Sequence, residues 1–266
     1  MKSNGFERAA LAALAIALLA GPPTFKSEEP SAAAVAGFNS YTAALEARLA
    51  QQRQSGAGFV SGRQILSRLR QGQPIVEDLT PSNGADLPGA ALYDWRGTAF
   101  VPGATAAEFE RLMRDFAAYP QRYAPQVVSA RVLARDGDHY RVLVRVRQKH
   151  IVTVVMDTVY DVDFVHVDAN RGFSVSRSTR ISEIDAAGTA KERALSGAEE
   201  HGFLWRLNTY WDYEQRDGGL YMRIESVSLT RPIPTGLGWA IGPFVQSVPR
   251  ESLAFTLKAT RDALRN

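Results

Sequence analysis

The 266-residue chain contains no cysteine and few histidines and methionines. The absence of cysteine excludes disulfides, thiolate metal sites and cysteine nucleophiles. The four histidines, His139, His150, His166 and His201, show neither the H-x-x-x-H nor the H-E-x-x-H spacing, so a metal site is not expected. No G-x-S-x-G motif occurs, and a hydrolase nucleophile elbow is therefore not expected either.

A strong excess of charge of either sign is also missing. Lysine and arginine number 31 against 28 aspartates and glutamates, which leaves a net charge of +3. So small an excess does not by itself indicate nucleic acid. Arg141, Arg145 and Arg147 share one face of a predicted strand without exposed aromatic residues beside them, which favours a solvated face. Nucleic acid is not expected as a partner.

An apolar run occupies residues 9–20 near the N-terminus. Lys2 and Arg8 precede it, and Gly-Pro-Pro at 21–23 closes it. The run is too short to span a bilayer comfortably, and its flanks are typical of a secretory signal peptide over residues 1–23. The sequence therefore predicts an exported protein, periplasmic or secreted. An uncleaved membrane anchor is the alternative.

Residues 24–87 are predicted to form a linker followed by short helices. Ser, Glu, Pro and Ala dominate residues 24–36, a composition that buries too little apolar surface to order itself. Helical spacing of leucine and isoleucine predicts a first helix in YTAALEARLAQQRQSG and a short second one in SGRQILSRLRQGQ.

Residues 88–266 predict an antiparallel meander of six or seven strands that begins with GAALYDWRGTAFVPG. Turn-forming residues at 136–138, 168–172 and 217–219 separate β-rich segments, which predicts three hairpins. Such short loops require the paired strands to be antiparallel. Near Lys149 the sequence leaves open whether one bent strand or two strands pass.

Two helices are predicted within the same region. The first follows Thr105 and Glu108, which stand three residues apart as a capping box, and Pro120 is expected to end it. The last is expected over about 248–265, with Ser247 as its N-cap and leucines along one stripe. Together these elements predict an α+β fold.

The segment TGLGWAIGPF, residues 235–244, resembles a phosphate-binding glycine loop. Its glycines follow G-x-G-x-x-x-G, one residue longer than the dinucleotide fingerprint, and no parallel βαβ unit surrounds them. Nucleotide binding is therefore not expected. The surrounding segment 232–248 is unusually apolar for a loop, so it is expected to plug the core, to cover a cavity or to contact a membrane surface transiently.

Two segments in this region are the most distinctive parts of the sequence for comparison with known families. YPQRYAP follows the first predicted helix, and SVSLTRPIPTGLGWAIGPFVQSVPRESLAFTLKATRDAL stands near the C-terminus. With the order of the elements, they resemble the START-like (SRPBCC) helix-grip superfamily, also called the polyketide cyclase and lipid transport group or Bet v 1-like fold, in its secreted bacterial branch. The resemblance covers residues 88–266.

This resemblance implies a curved antiparallel β-sheet wrapped around a long C-terminal helix. It also implies a tunnel between sheet and helix that holds a lipid or another apolar small molecule. It implies no shared catalytic residue, because the superfamily includes binding proteins, cyclases and hydrolases.

The residues expected to line this tunnel come from four segments. Alternation along FLWRLNTYWDYE places its aromatic residues on one face, which is expected to point inward, and the long strand around IVTVVMDTVYDVDFVHV supplies a second inward set. The predicted ligand-binding residues are Trp205, Thr209, Trp211, Tyr213, Tyr160, Phe164, Met222, Trp239, Phe244, Leu253 and Leu257. Rings with polar tips suit an amphipathic ligand, although core packing is the commoner role of any single ring.

The sequence thus predicts an exported binding protein for a lipid or other apolar small molecule, with no catalytic residue, metal or cofactor. Two alternatives stay open. One is an enzyme of the cyclase or hydrolase type that uses Tyr160, Tyr213 or a pocket carboxylate as acid or base. The other is an interaction module with a filled cavity whose apolar loop docks on an envelope partner.

Overall fold

The computed structural model describes residues 29–56, 58–81, 87–149, 153–232 and 238–265. For residues 238–246 only the backbone is described. The predicted signal peptide lies outside these ranges. Among the helices that are described, none is both long enough and apolar enough to cross a membrane.

The described helices and strands form an α+β fold. The helices are α1 (Ala32–Gln54), α2 (Arg63–Arg70), α3 (Ala106–Arg114), α4 (Tyr119–Arg122) and α5 (Gly238–Ala263), with a 3₁₀ turn (Phe116–Ala118) between α3 and α4. The strands are β1 (Ile75–Asp78), β2 (Ala91–Pro102), β3 (Val127–Asp136), β4 (His139–Lys149), β5 (Thr153–Asp168), β6 (Arg171–Asp185), β7 (Arg193–Ala194), β8 (Arg206–Arg216) and β9 (Gly219–Thr230).

In the described ranges, nine strands form one antiparallel sheet in the order β1-β2-β9-β8-β6-β5-β4-β3, with β7 paired to β6. The fold class predicted from the sequence, a curved antiparallel sheet with a long C-terminal helix, is confirmed. The sheet has more strands than the six or seven predicted, because β1 and β7 have four and two residues and are too short for visible alternation.

The three predicted hairpins are present as β3–β4, β5–β6 and β8–β9. Gly137 and Gly218 have φ angles of 55° and 75°, the left-handed backbone that tight hairpin turns require. Near Lys149 the chain forms two strands, since β4 ends there and β5 begins at Thr153.

Helix α3 begins where the capping box predicts. The Glu108 N–H donates to Thr105 Oγ1 at 3.2 Å, and the Thr105 N–H donates to Glu108 Oε2 at 2.8 Å. The expected end at Pro120 is wrong, because Asp115 leaves the helical conformation with φ −87° and ψ 70°. Pro120 instead lies in the first turn of α4, where its missing N–H is tolerated.

Loss of this cap should have a modest effect. We expect Thr105→Ala to lower the free energy of unfolding by about 1 kcal/mol, because the Glu108 N–H at the start of α3 loses its acceptor. Thr105→Ser keeps the hydroxyl and should lose a few tenths of a kcal/mol at most. Urea denaturation of both variants measures the difference, and equal losses would contradict the role of the hydroxyl.

Helix α5 is longer than predicted. It starts at Gly238, so the predicted loop over 232–248 has a helical backbone from that residue on, and Ser247 is not its N-cap. Helical spacing is present in the apolar residues Leu237, Ile241, Phe244, Val245 and Val248. Pro243 and the glycines conceal this spacing, which explains the incorrect prediction.

The sheet wraps around α5 from two sides. Leu253 and Leu257 of α5 lie at Gly97 of β2, where an added Cβ would stand 2.7 Å from Leu253 Cδ2. On the other side, Gln148 Nε2 at the end of β4 donates to Ser252 Oγ at 3.2 Å. Since β2 and β4 belong to opposite halves of the sheet, α5 crosses its concave face.

The convex face is covered by the N-terminal segment. Helix α1 begins at Ala32, where Ser31 Oγ accepts a hydrogen bond from the Ala34 N–H at 3.1 Å. Residues 32–36 are therefore helical and not linker as expected. Phe38 of α1 is 2% exposed and packs in one cluster with side chains of β2, β8 and β9. Helix α1 was expected to lie in a separate segment before the folded domain, but it packs as part of the core of that domain.

Candidate functional site

One half of the concave face, next to the β8–β9 hairpin, is sealed by α3 and the 3₁₀ turn. Phe109 of α3 contacts the rings of Trp211 and Tyr213, with centroids 5.5 and 4.9 Å apart. The ring centroids of Phe116 and Phe164 lie 6.4 Å apart. Trp211, Tyr213 and Phe164 are all buried. This sealed half is packed core.

Tyr213 is held in that core by a hydrogen bond to α3. Its hydroxyl donates to Glu110 Oε1, which lies 2.9 Å from His166 Nδ1. The ring lies across Gly172 of the neighbouring strand, where a Cβ would clash with the phenol oxygen. Burial raises the pKa of Tyr213, and the bond to Glu110 raises it further. The phenol is therefore protonated at neutral pH and braces α3 against the sheet.

A row of polar side chains crosses the centre of the same concave face. Ser226 of β9, Thr209 of β8 and Ser176 of β6 are direct cross-strand partners, and Trp95 of β2 stands opposite Ser226 on the other side. All four side chains are partly exposed, although they lie on interior strands of the sheet. We call these four residues the polar row. Solvent reaches this part of the face, in contrast to the sealed half.

The surroundings of the polar row include a polar atom that lacks a partner. Trp95 Nε1 is buried and makes no hydrogen bond in the part of the chain that the structure describes. Ser178 Oγ, next along β6, accepts a hydrogen bond from the Leu207 N–H at 2.8 Å. Buried polar atoms without partners cost free energy unless a bound group satisfies them.

The polar row itself carries no charge. Glu183 follows on the same face near the end of β6, where it is buried. Its carboxylate accepts hydrogen bonds from the N–H groups of His201 and Phe203 at 3.0 and 3.2 Å and lies 2.7 Å from His201 Nδ1. Glu183 therefore fastens the chain before β8. No group of three His, Asp or Glu side chains in the described ranges could hold a metal ion.

Tyr160 of β5 borders the polar row on this face and packs against the concave core. Burial raises the pKa of Tyr160 to about 12. Its phenol is therefore protonated at neutral pH, where it can donate a hydrogen bond but cannot act as a base.

The residues predicted from the sequence to bind a ligand fall into separate places. One concave cluster contains Trp211, Tyr213, Phe164, Met222, Leu253 and Leu257, with Tyr160 packed against it. Thr209 lies in the polar row. Trp239 and Phe244 lie outside the residues whose side chains are described.

The expected inward orientation of Trp205 is wrong. Trp205 is buried in the cluster between α1 and the convex face, together with Phe38 and Leu229. Strand β8 begins only at Arg206, so the alternation that holds from Thr209 onward does not extend back to Trp205.

Sequence reasoning missed three of the four residues of the polar row: Trp95, Ser176 and Ser226. A signal for the two serines is present, since FSVSRS and ESVSLT both carry serine at every second position. Period-two serines lie on one face of a strand. Pairing of β6 and β9 on either side of β8 then aligns the two sets.

Comparison with known proteins gives no match to a family model or to a curated protein. Solved structures do match. A STAR-related lipid transfer protein from Xanthomonas axonopodis is 19% identical, with 68% of this chain and 96% of that chain covered and a TM-score of 0.43. A START superfamily protein from Mycobacterium smegmatis is 16% identical, with 65% and 97% covered and a TM-score of 0.42.

An aromatase/cyclase, Zhui from Streptomyces sp. R1128, is 12% identical, with 65% of this chain and 94% of that chain covered and a TM-score of 0.45. The solved structures that this chain is similar to thus include a STAR-related lipid transfer protein, a START superfamily protein and an aromatase/cyclase.

Proposed function

We propose that this protein binds a lipid or another largely apolar small molecule between the concave face of its sheet and α5. The partial exposure of the polar row carries this proposal. Ser226, Thr209 and Ser176 lie on interior strands, where packing by a helix would bury them as α3 buries Trp211. Small side chains in the middle of a curved face that a helix crosses leave room for a guest molecule.

The proposal is for a binding protein rather than an enzyme. The two tyrosines considered as acid or base, Tyr160 and Tyr213, both have raised pKa values, which rules them out as bases at neutral pH and makes each a weak acid. The polar row contains no carboxylate or imidazole that could move a proton. Its groups are suited to holding a ligand in one orientation.

We also propose that the protein acts after export, on the basis of the signal-like sequence over residues 1–23. Cell fractionation with an antibody to the folded domain tests this. Recovery of the protein with its first 23 residues intact in the cytoplasm would contradict it.

Filling the space above the polar row should abolish binding. We expect Ser226→Phe to weaken the binding of the neutral apolar dye Nile red at least about tenfold, since the added ring occupies the volume that the dye needs. Fluorescence titration measures this, and circular dichroism checks that the fold is retained.

Ser129→Phe is the matched control. It adds the same ring at an exposed position of β3 and should leave dye binding unchanged. The proposed function fails if the parent protein binds neither Nile red nor any compound from a lipid extract, or if Ser226→Phe binds the dye as well as the control does.

A further inference from the structure

The polar row requires hydrogen-bonding atoms from whatever lies above it. Trp95 Nε1 can only donate, and it has no acceptor in the described part of the chain. The hydroxyls of Ser226, Thr209 and Ser176 can each donate and accept. A pure hydrocarbon would leave these groups dehydrated and unsatisfied.

The polar groups of the row are spread across four strands of the sheet and are not clustered at one point. Neighbouring strands lie about 4.8 Å apart, so the row from Trp95 on β2 to Ser176 on β6 extends over about 14 Å. Apolar side chains adjoin it, because Ile224 precedes Ser226 on the same face of β9 and Val162 stands opposite Ser176. A complementary ligand therefore has an apolar body with oxygen atoms spread along it.

The polar row supplies no counter-charge for a ligand. The polar row is neutral, and the carboxylate of Glu183 is already engaged by His201 and Phe203. A charged head group placed here would lose its hydration without gaining a partner.

On the basis of the proposed function, we infer that the ligand is an uncharged molecule with hydrogen-bonding oxygen atoms at separated points of an apolar body. Fatty acids, phospholipids and plain hydrocarbons are disfavoured by this surface. The polar row acts as the element that selects among apolar molecules of similar size.

Three probes with a common ring system test this inference. Dihydroxyfluorene carries oxygen at both ends, fluorene carries none, and fluorene disulfonate carries charge at both ends. We expect dihydroxyfluorene to displace Nile red from the parent protein with an affinity at least about tenfold higher than that of either other probe, about the effect of one satisfied hydrogen bond.

A matched substitution separates hydrogen bonding from shape. Thr209→Val removes the hydroxyl with little change of volume and should weaken dihydroxyfluorene about five- to tenfold while leaving fluorene unchanged or slightly tighter. Thr153→Val, at an exposed position of β5, should change neither. Ser226→Ala removes another hydroxyl of the polar row and repeats the test at a second position.

The inference is overturned if fluorene or the disulfonate binds as tightly as the diol, if none of the three displaces the dye, or if Thr209→Val weakens the diol and fluorene equally. Binding of Nile red to the parent protein keeps the two proposals apart. If the dye binds and the probes rank differently, only the choice of ligand class is wrong, whereas a parent protein that binds neither the dye nor any compound from a lipid extract contradicts the proposed function itself.

Discussion

The Asp94→Asn variant is expected to be about 4 kcal/mol more stable than the parent protein near pH 8 and similar to it near pH 4. Asp94 lies on the convex face of β2 under α1 and is 1% exposed. Tyr41 of α1 donates to its Oδ2 at 2.7 Å, and its Oδ1 has no partner in the described ranges. Burial, together with the nearby carboxylate of Glu225, raises the pKa of Asp94 to about 7.

Proton linkage determines the direction in which the stability of the parent protein changes with pH. The folded protein holds the proton of Asp94 more tightly than the unfolded chain does, so the stability due to that proton is fully present below the ordinary pKa near 3.8. It is lost progressively as the pH rises to about 7. Each pH unit in this window costs about 1.4 kcal/mol. The lowering effect of Arg48 and Arg96 on the pKa is already contained in the value of about 7.

Urea denaturation of both proteins between about pH 4 and pH 8 measures the effect. Asparagine keeps an acceptor for Tyr41 and removes the titration, so the profile of the variant should be flatter than that of the parent. Asp136→Asn, an exposed change at the β3–β4 turn, serves as the control. Parallel profiles for parent and Asp94→Asn would show that the carboxyl is ionised in the fold at no cost.

The Phe38→Ala variant is expected to lose about 3–4 kcal/mol of unfolding free energy, because its ring anchors α1 in the buried cluster on the convex face. Ile65→Ala on α2 is the control, since Ile65 is 44% exposed and should lose less than about 1 kcal/mol. Chemical denaturation gives both values, and limited proteolysis reports release of α1. Equal losses would show that α1 is not part of the cooperative unit.

Charge pairs explain why this helix has to stay in place. Arg48 of α1 lies 2.5 Å from Glu225, and Arg53 lies 2.6 Å from Asp212, which also pairs with Arg223 at 2.8 Å. Glu225, Asp212 and Arg223 are all buried. Removal of one partner from such a pair leaves an uncompensated charge. The convex face therefore depends on α1 for electrostatic as well as apolar reasons.

Local features of the fold could be predicted because they depend on residues close in the chain. Thr105 and Glu108 predicted the start of α3, and the glycines at 137 and 218 predicted two turns. The docking of α1 could not be predicted in this way. Its apolar stripe is thin, and the acidic groups that receive Arg48 and Arg53 come from strands more than a hundred residues away.

In the candidate site, too, some features follow from residues close in the chain and others depend on contacts between distant segments. The sequence by itself determined that Thr209, Trp211 and Tyr213 share one face of β8, since side chains alternate along a strand. Only the tertiary structure decided that Met222 and Ile224 join that face, because this depends on the register between β8 and β9.

The tertiary structure also decided which part of the concave face is packed and which is accessible. Helix α3 covers Trp211 and Tyr213, and the row through Thr209 and Ser226 stays partly exposed. The alternation of side chains along a strand predicts that these residues share one face, but it does not predict which element packs on that face. Coverage is a contact between elements distant in the chain, and such contacts are set by how the whole sheet curves and where its helices pack.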